Sequence, residues 1–446
     1  MDFVEKLCLF LSICVIGSLA REVSEQPEQI HISYGTQPSE MVVTWVTFSP
    51  TSRPTVEYGI NKLDQTAYGY TKLFIDGGTE MRNIYIHRVI IENLKPNTSY
   101  VYHAGCDDGW SPIFWFTTMK EGTDWAPRMA IFGDLGNYNG RSFPKLQEDS
   151  QKGLYDVLLH VGDMAYDMDS DNARVGDNFM RQMEPVAAYT PYMVCVGNHE
   201  QAYNFSNYVN RFSMFNLQQS EINNHYYSFN IGPVHVISLS TEFYYFRDYG
   251  TTQLFNQYEW LKKDLEEANK AENRAKRPWI ITMGHRPMYC NTNDQDDCRR
   301  PNSRIRKGIP EIHAPGLEDL FYEHGVDIEF WAHEHLYERL WPIYNYNVYN
   351  GSYDAPYTNP KAPIHITTGS AGCQEFLDPF VLDPGTWSAK RISDYGFTRL
   401  TAHNYTHIHL EQISVDQGNQ AVDDIWIIKE RHGYGSYTGG NSIEEV

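Results

Sequence analysis

The 446 residues carry 57 Asp plus Glu against 36 Lys plus Arg, a formal net charge of −21, with 41% hydrophobic and 21% charged residues. Such a length holds two or three domains of ~100–200 residues each, and the aromatic-rich composition is that of a folded chain rather than a disordered or fibrous one. A surface this acidic repels a polyphosphate backbone, so nucleic-acid binding is disfavoured, and an anionic substrate would need some attraction other than Lys and Arg.

The first element is the apolar run 7–16, followed by Ser18-Leu19-Ala20. It reads as a secretory signal over residues 1–20, cleaved after Ala20, and it is too short to span a bilayer well. The end of the chain, Gly-Gly-Asn-Ser-Ile-Glu-Glu-Val, lacks the hydrophobic tail of a lipid-anchor signal. The expectation is a secreted or lysosomal protein without membrane insertion. Cleavage removes Cys8 and Cys14 and leaves Cys106, Cys195, Cys290, Cys298 and Cys373, an odd set with at least one unpaired thiol. Cys195 lies in an apolar run and reads as a buried free thiol. Cys290 and Cys298 flank a polar loop that a disulfide could close, and Cys106 and Cys373 stay unassigned. Sequons at Asn97, Asn204, Asn350 and Asn404 fit a glycosylated secretory product.

From 27 to 118 short alternating segments are split by turns, at 41–46, 55–58, 85–91 and 100–102. This pattern predicts an all-β sandwich of about 100 residues. The stretch Leu94-Lys95-Pro96-Asn97-Thr98-Ser99-Tyr100 resembles the corner motif of fibronectin type III domains, with Trp45 where such sandwiches bury a tryptophan. The domain is assigned to residues 21–120. After a linker at 119–127 the texture becomes α/β: apolar strands at 129–132, 157–161, 192–196, 279–283, 327–331 and 364–367 each run into a polar turn. The clearest helix is predicted over 257–271, with Leu261 and Leu265 on one face, and the Tyr/Asn-rich stretch 344–357 reads as a loop.

Ligands of such sheets bind at the carboxyl ends of strands, where several loops converge. There the chain places Asp134, Asp163, Tyr166, Asn198, His285, His333 and His335. One Asp after a strand is usually a cap or a turn, but five such blocks in order supply oxygen and imidazole donors without a thiolate, which suits a pair of hard or borderline ions. If His333 and His335 continue the strand before them, positions i and i+2 share a face, and each can reach one of two ions ~3.5–4 Å apart. The helical zincin pattern, with His at i and i+4, is absent.

Gly133-Asp134-Leu135-Gly136, Gly162-Asp163-Met164-Ala165-Tyr166, Gly197-Asn198-His199-Glu200, Thr282-Met283-Gly284-His285 and Ala332-His333-Glu334-His335 resemble the five metal-ligand blocks of the purple acid phosphatases. With the sandwich ahead of them, they look like the longer, two-domain form of that family. Gly136 stands where general metallophosphoesterases carry a His, and Tyr166 supplies a phenolate instead. The resemblance implies a fibronectin-like sandwich followed over 125–446 by a metallophosphoesterase domain of αββα type (overall α+β/α/β) with its C-terminal subdomain. It implies that Asp134, Asp163, Tyr166 and His335 hold Fe(III), and that Asp163, Asn198, His285 and His333 hold a divalent ion (Fe, Zn or Mn), with Asp163 bridging.

The reaction so implied is acid hydrolysis of phosphate monoesters by a metal-bound hydroxide, with His199 on the phosphate or leaving group and Glu200 orienting it. The metals would then attract the anionic substrate into an acidic protein. Three departures from the family pattern stand out: Ala332 for Gly, Thr282 for Val, and Asn293, Asp294 and Gln295 where plant members have paired histidines. The basic loop Arg299, Arg300, Arg304, Arg306 and Lys307 is a candidate substrate rim, whereas His403, His407 and His409 read as a sheet surface. The rival readings are a phosphodiesterase or nucleotide pyrophosphatase on the same centre, an adhesion or binding protein with a vestigial enzyme domain, and redox chemistry at iron as a side activity. A small phosphorylated substrate is the implied partner, with the protein a monomer or homodimer.

Overall fold

A computed structural model describes residues 24–214 and 224–437. The expected leader over 1–20, with Cys8 and Cys14, lies outside the described residues, as do the last residues of the chain. Nine strands open the fold: β1 Glu28–Tyr34, β2 Met41–Thr47, β3 Thr55–Gly59, β4 Gln65–Tyr68, β5 Tyr70–Ile75, β6 Asn83–Ile91, β7 Ser99–Cys106, β8 Gly109–Trp110 and β9 Phe114–Thr117. They form two sheets, β1-β2-β6-β5 and β4-β3-β7-β8, with β9 added to β7. Trp45 is buried and stacks on His87 at 5.2 Å between ring centroids. The corner motif closes as its residues predict, because the backbone N–H of Lys95 donates to the Tyr100 hydroxyl at 3.0 Å.

The sandwich is bonded to the second half of the chain. Strand β1 runs beside the helix Ser170–Ala187, where Glu184 Oε2 accepts from Ile30 N at 3.0 Å and Gln29 Nε2 donates to Asp177 Oδ1 at 3.2 Å. Asp177 pairs with Arg211 at 2.9 Å, both side chains about 1% exposed, and with Arg82 of the sandwich at 2.8 Å. Removing one member of such a buried set leaves an uncompensated charge, a loss of about 3–5 kcal/mol.

The second half contains β10 Arg128–Phe132, β11 Val157–Val161, β12 Tyr192–Cys195, β13 Tyr227–Ile231, β14 Val234–Ser238, β15 Trp279–Met283, β16 Ile328–Trp331 and β17 Tyr337–Leu340. It continues with β18 Ile343–Tyr344, β19 Asn347–Val348, β20 Ile364–Thr368, β21 Ser388–Ile392, β22 Gly396–Ala402, β23 His407–Ser414 and β24 Gln420–Ile428. One sheet runs β12-β11-β10-β22-β23-β24 and the other β13-β14-β15-β16-β20-β17-β21. Strands β10, β11 and β12 pair in parallel, as do β14, β15, β16 and β20. These central strands are apolar-rich and almost wholly buried on both faces, the usual pattern of covered parallel strands.

One apolar cluster takes Ile131 and Leu159 from the first sheet and Ile281 and Phe330 from the second, so the two sheets pack face to face. The helices Phe143–Gln151 and Ser170–Ala187 lie against the first sheet, and Thr252–Ala268 buries Leu254, Leu261 and Leu265 in a cluster with Ile237 and Ile280 of the second. That last helix starts five residues before its predicted position, and a separate turn, Ala271–Arg274, comes after it. The 344–357 stretch begins with the short hairpin β18–β19. Cys290 and Cys298 form a disulfide, while Cys106, Cys195 and Cys373 are buried free thiols among the described residues. No helix among the described residues is long and apolar enough to cross a membrane.

Candidate metal centre

The five polar turns lie together at the carboxyl ends of β10, β11, β12, β15 and β16. The backbone reverses sharply there: Asp134, Asp163, Tyr166 and His333 have φ of 56°, 50°, 58° and 69°. Left-handed non-glycine residues cost of order 1–3 kcal/mol when they lie off the favoured basin and concentrate at functional sites. Gly162 and Gly197 are required by close approach. A Cβ on Gly162 would lie 2.6 Å from His285 Nδ1, and one on Gly197 would lie 2.1 Å from Asp163 Oδ1.

His333 and His335 correct the sequence expectation. Strand β16 ends at Trp331, and 332–336 is not strand. Two tight turns, Glu334 N to Ala332 O at 2.8 Å and Leu336 N to Glu334 O at 2.7 Å, turn the two imidazoles toward different donor groups. The i, i+2 spacing therefore delivers both rings through a kinked segment rather than through the pleat of a strand.

All seven predicted donors come together, in two groups. In the first, the Tyr166 hydroxyl lies 3.1 Å from Asp134 Oδ1 and 2.7 Å from His335 Nε2, which is 3.6 Å from Asp134 Oδ1. In the second, His285 Nε2 lies 3.1 Å from Asp163 Oδ2, 3.1 Å from Asn198 Oδ1 and 3.2 Å from His333 Nδ1. Asp134 also ties the groups together, its Oδ2 accepting from His333 N at 3.0 Å.

Hydrogen bonding behind the rings decides which nitrogens face inward. His285 Nδ1 lies 2.9 Å from the carbonyl of Val161, which can only accept, so this nitrogen carries the proton and Nε2 of the neutral ring presents a lone pair. That lone pair is ringed by acceptors, the donor set of a cation site. The field asks for positive charge: burial lowers the His285 ring, but Asp163 outweighs it and lifts the ring to about 9, so without a metal ion a second proton sits on Nε2, and a bound ion would take that proton's place. The opposite holds for Tyr166, which burial, then Asp134 and Asp163, push well above the ordinary phenol value. Only a strong nearby cation would ionise it.

His199 stands at the rim. Its ring is 4.3 Å from that of Tyr166, its Nδ1 lies 3.0 Å from Asp167 Oδ1, and its Nε2 lies 3.9 Å from Asp163 Oδ2 and 3.8 Å from Glu375 Oε1. Burial disfavours the imidazolium, but Asp163 and the Asp167 hydrogen bond raise the ring to about 10. Asp167, rather than Glu200, orients it. The Glu200 carboxylate instead accepts from Asp163 N, Met164 N and Gly197 N at 2.9–3.0 Å and fixes the two turns.

The basic loop is also corrected. Arg306 is buried, pairs with Glu318 at 3.0 Å and lies over the rings of Tyr289 and Tyr346, and Lys307 pairs with the same carboxylate. These two cations brace the loop against the helix that carries Glu318, while Arg299 and Arg300 are exposed. Of the departures, Ala332 buries its methyl beside Gly133, and Thr282 is buried with its hydroxyl unpartnered among the described residues. Sequence reasoning missed Asp167, Arg286, Asp296 and Glu375. Asp167 and Arg286 come directly after the donors Tyr166 and His285, a placement that could have pointed to them; Asp296 and Glu375 carry no such mark. His403, His407 and His409 lie far from this convergence in the fold, around Trp426 on the outer hairpin, as predicted.

Fold and donor set together define the calcineurin-like phosphoesterase class, whose family model matches residues 127–337. The purple acid phosphatase N-terminal domain model matches 27–118, and that of the iron/zinc purple acid phosphatase-like protein C matches 362–424. The chain is 53% identical over 434 residues to acid phosphatase type 7 of Homo sapiens, covering 97% of each, and 30% identical over 448 residues to purple acid phosphatase 22 of Arabidopsis thaliana, covering 94% and 92%. The solved purple acid phosphatase from yellow lupin (Lupinus luteus) seeds shares the fold, with a TM-score of 0.75 at 24% identity over 93% of this chain and 76% of that one. The chain belongs to the purple acid phosphatase family.

Proposed function

We propose that this chain is a dimetal acid phosphatase hydrolysing phosphate monoesters, with Asp134, Tyr166 and His335 holding a ferric ion, Asn198, His285 and His333 a divalent one, and Asp163 shared. The observation that carries the reading is the ring of acceptors around the His285 lone pair, a few ångströms from a phenol, a carboxylate and a third imidazole. Full-length similarity to acid phosphatases supports it, and a relative named Fe(3+)-Zn(2+) purple acid phosphatase 12, from Arabidopsis thaliana and 28% identical, supports the choice of ions.

When bound, such ions supply Lewis acidity that activates water and neutralises charge on the phosphoryl oxygens. The chain's own groups do the rest. Burial pushes Asp163 up, but without metal ions the protonated His285 and His199 rings outweigh it and hold the carboxyl low, so it is an anion ready for the ions that would replace the proton on His285. His199, oriented by Asp167, presents Nε2 to the substrate side, where a protonated ring can bond a phosphoryl oxygen or pass a proton to a leaving alkoxide. The main-chain bonds to Glu200 hold the Asp163 and Asn198 turns together.

Secretion or lysosomal residence with N-glycosylation belongs to the same proposal. It is supported by the Cys290–Cys298 disulfide, an oxidising-compartment feature, and by exposure of Asn97, Asn204 and Asn404, with Asn350 half-buried. The test is direct. Purified protein should contain two metals per chain, absorb in the visible, and hydrolyse a monoester faster than a diester at acidic pH; faster diester turnover would replace the monoester assignment with the phosphodiesterase one.

A further inference from the structure

The three imidazoles of the centre are fixed from behind in different ways. His285 and His335 each lie 2.9 Å from a neutral main-chain carbonyl, that of Val161 and of Phe376. His333 is backed by a carboxylate, its Nε2 lying 2.6 Å from Asp296 Oδ2. Arg286 braces the same carboxylate, with Nη1 3.4 Å from Asp296 Oδ2 and Nε 3.0 Å from the buried Glu242. Its Nη1 also lies 2.8 Å from His333 Nε2, but a guanidinium can only donate, so the one group there that can accept the ring proton is Asp296, at the shorter 2.6 Å.

Asp296 is itself held in place. It lies inside the loop that the Cys290–Cys298 disulfide closes, two residues before Cys298. Its Oδ1 accepts from Asp297 N at 2.5 Å, and its own N–H donates to Asp294 Oδ1 at 3.1 Å. Asp297 anchors the neighbouring turn by accepting from the Tyr245 hydroxyl at 2.9 Å and from Arg304 N at 2.7 Å. On the other side Asn291 bonds Glu338, and Asn293 N donates to Pro379 O at 2.9 Å. The seven residues between the two cysteines form a loop with both edges and its centre tied down.

An imidazole whose far N–H meets a carboxylate is a stronger donor at its near nitrogen and has one tautomer and one orientation, and losing such a partner typically lowers metal affinity about 10–100-fold. We infer that Asp296 is a positioning residue, set by the disulfide-closed loop, that turns His333 Nδ1 toward the divalent ion and makes occupancy of that position depend on the loop. The inference rests on the dimetal reading above. It predicts an asymmetry, since nothing in the first donor group touches Asp296.

The experiment dialyses the intact holoprotein and Asp296→Asn against a graded series of chelator and counts each metal per chain, following the visible band in parallel. The expected result is loss of the divalent ion from Asp296→Asn at about 10–100-fold lower chelator strength, with iron and the band retained as a control for folding. A Cys290→Ser/Cys298→Ser double variant should shift the divalent ion in the same direction. Equal retention of both metals by wild type and Asp296→Asn overturns the positioning role, and an unshifted double variant overturns the dependence on the disulfide. Wild-type protein holding fewer than two metals overturns the dimetal reading and this inference with it, so the failures are distinguishable.

Discussion

His285, His333 and His335 differ from His403, His407 and His409 in what holds the far side of each ring. In the first set every far nitrogen meets a fixed partner, Val161 O, Asp296 or Phe376 O, and the near nitrogens converge on acceptors. In the second set the rings gather around Trp426 at 4.9, 6.3 and 4.6 Å, His409 reaches out to Asp424 at 2.8 Å, and His407 bonds its neighbour Thr406. Three histidines close together are therefore not a metal site. Lone pairs locked inward from behind and facing other lone pairs are one.

The largest break in that contrast should come from Asp163→Asn, which removes the carboxylate proposed to be shared by both groups. Both metals should fall together, and activity should drop by more than about 10³-fold, beyond the 10–100-fold typical of residues behind a ligand. Two metals with normal turnover would take Asp163 out of the shared position. Next, His199→Ala should lower kcat by about 10²-fold or more, the usual contribution of a positioned acid or base, with metal content unchanged. Tyr166→Phe should bleach the visible band; a colourless wild type carrying only zinc would falsify the ferric assignment.

The outer set should respond weakly. His409→Ala is expected to keep both metals and full turnover, with stability within about 0.5 kcal/mol of wild type, as for surface changes generally. The smallest effect concerns pH. Burial, then the neighbouring His409 and His407, lower the proton affinity of His403. The native state thus binds fewer protons than the unfolded chain, and stability falls as pH drops below the ordinary histidine value of ~6.5 toward the lowered one. His403→Gln should lose slightly less thermal stability than wild type between neutral and mildly acidic pH, and a steeper loss would contradict this sign.

The centre was readable in sequence because its chemistry forces particular residue types to strand ends, and strands such as 157–161 and 279–283 announce themselves as apolar runs. The seven donors were legible for that reason. The path of His333 and His335 was not, because a left-handed residue after a strand leaves no mark on the apolar pattern. Asp167, Asp296 and Glu375 were invisible as well: their roles depend on meeting His199 or His333 across 32, 37 and 176 positions of chain. Counting charge misled at Arg306 and Lys307, whose partner Glu318 is supplied by the next helix. The alternation of His407 and His409 marked a sheet surface at β23, but strands β21, β22 and β24 were missed, since polar residues alternate through them and blur the signal.

The docking of β1 on the helix Ser170–Ala187 has an evolutionary consequence. Gln29, Asp177 and Arg211, all buried, and the half-buried Arg82 form one polar set drawn from both halves, so a change of charge in either half is tolerated only with an answering change in the other. The helix that carries Asp177 begins four residues after Tyr166. Sandwich and centre are thereby a single inheritance: a chimera that takes its first hundred residues from a distant relative should fail to fold unless the helix travels with them.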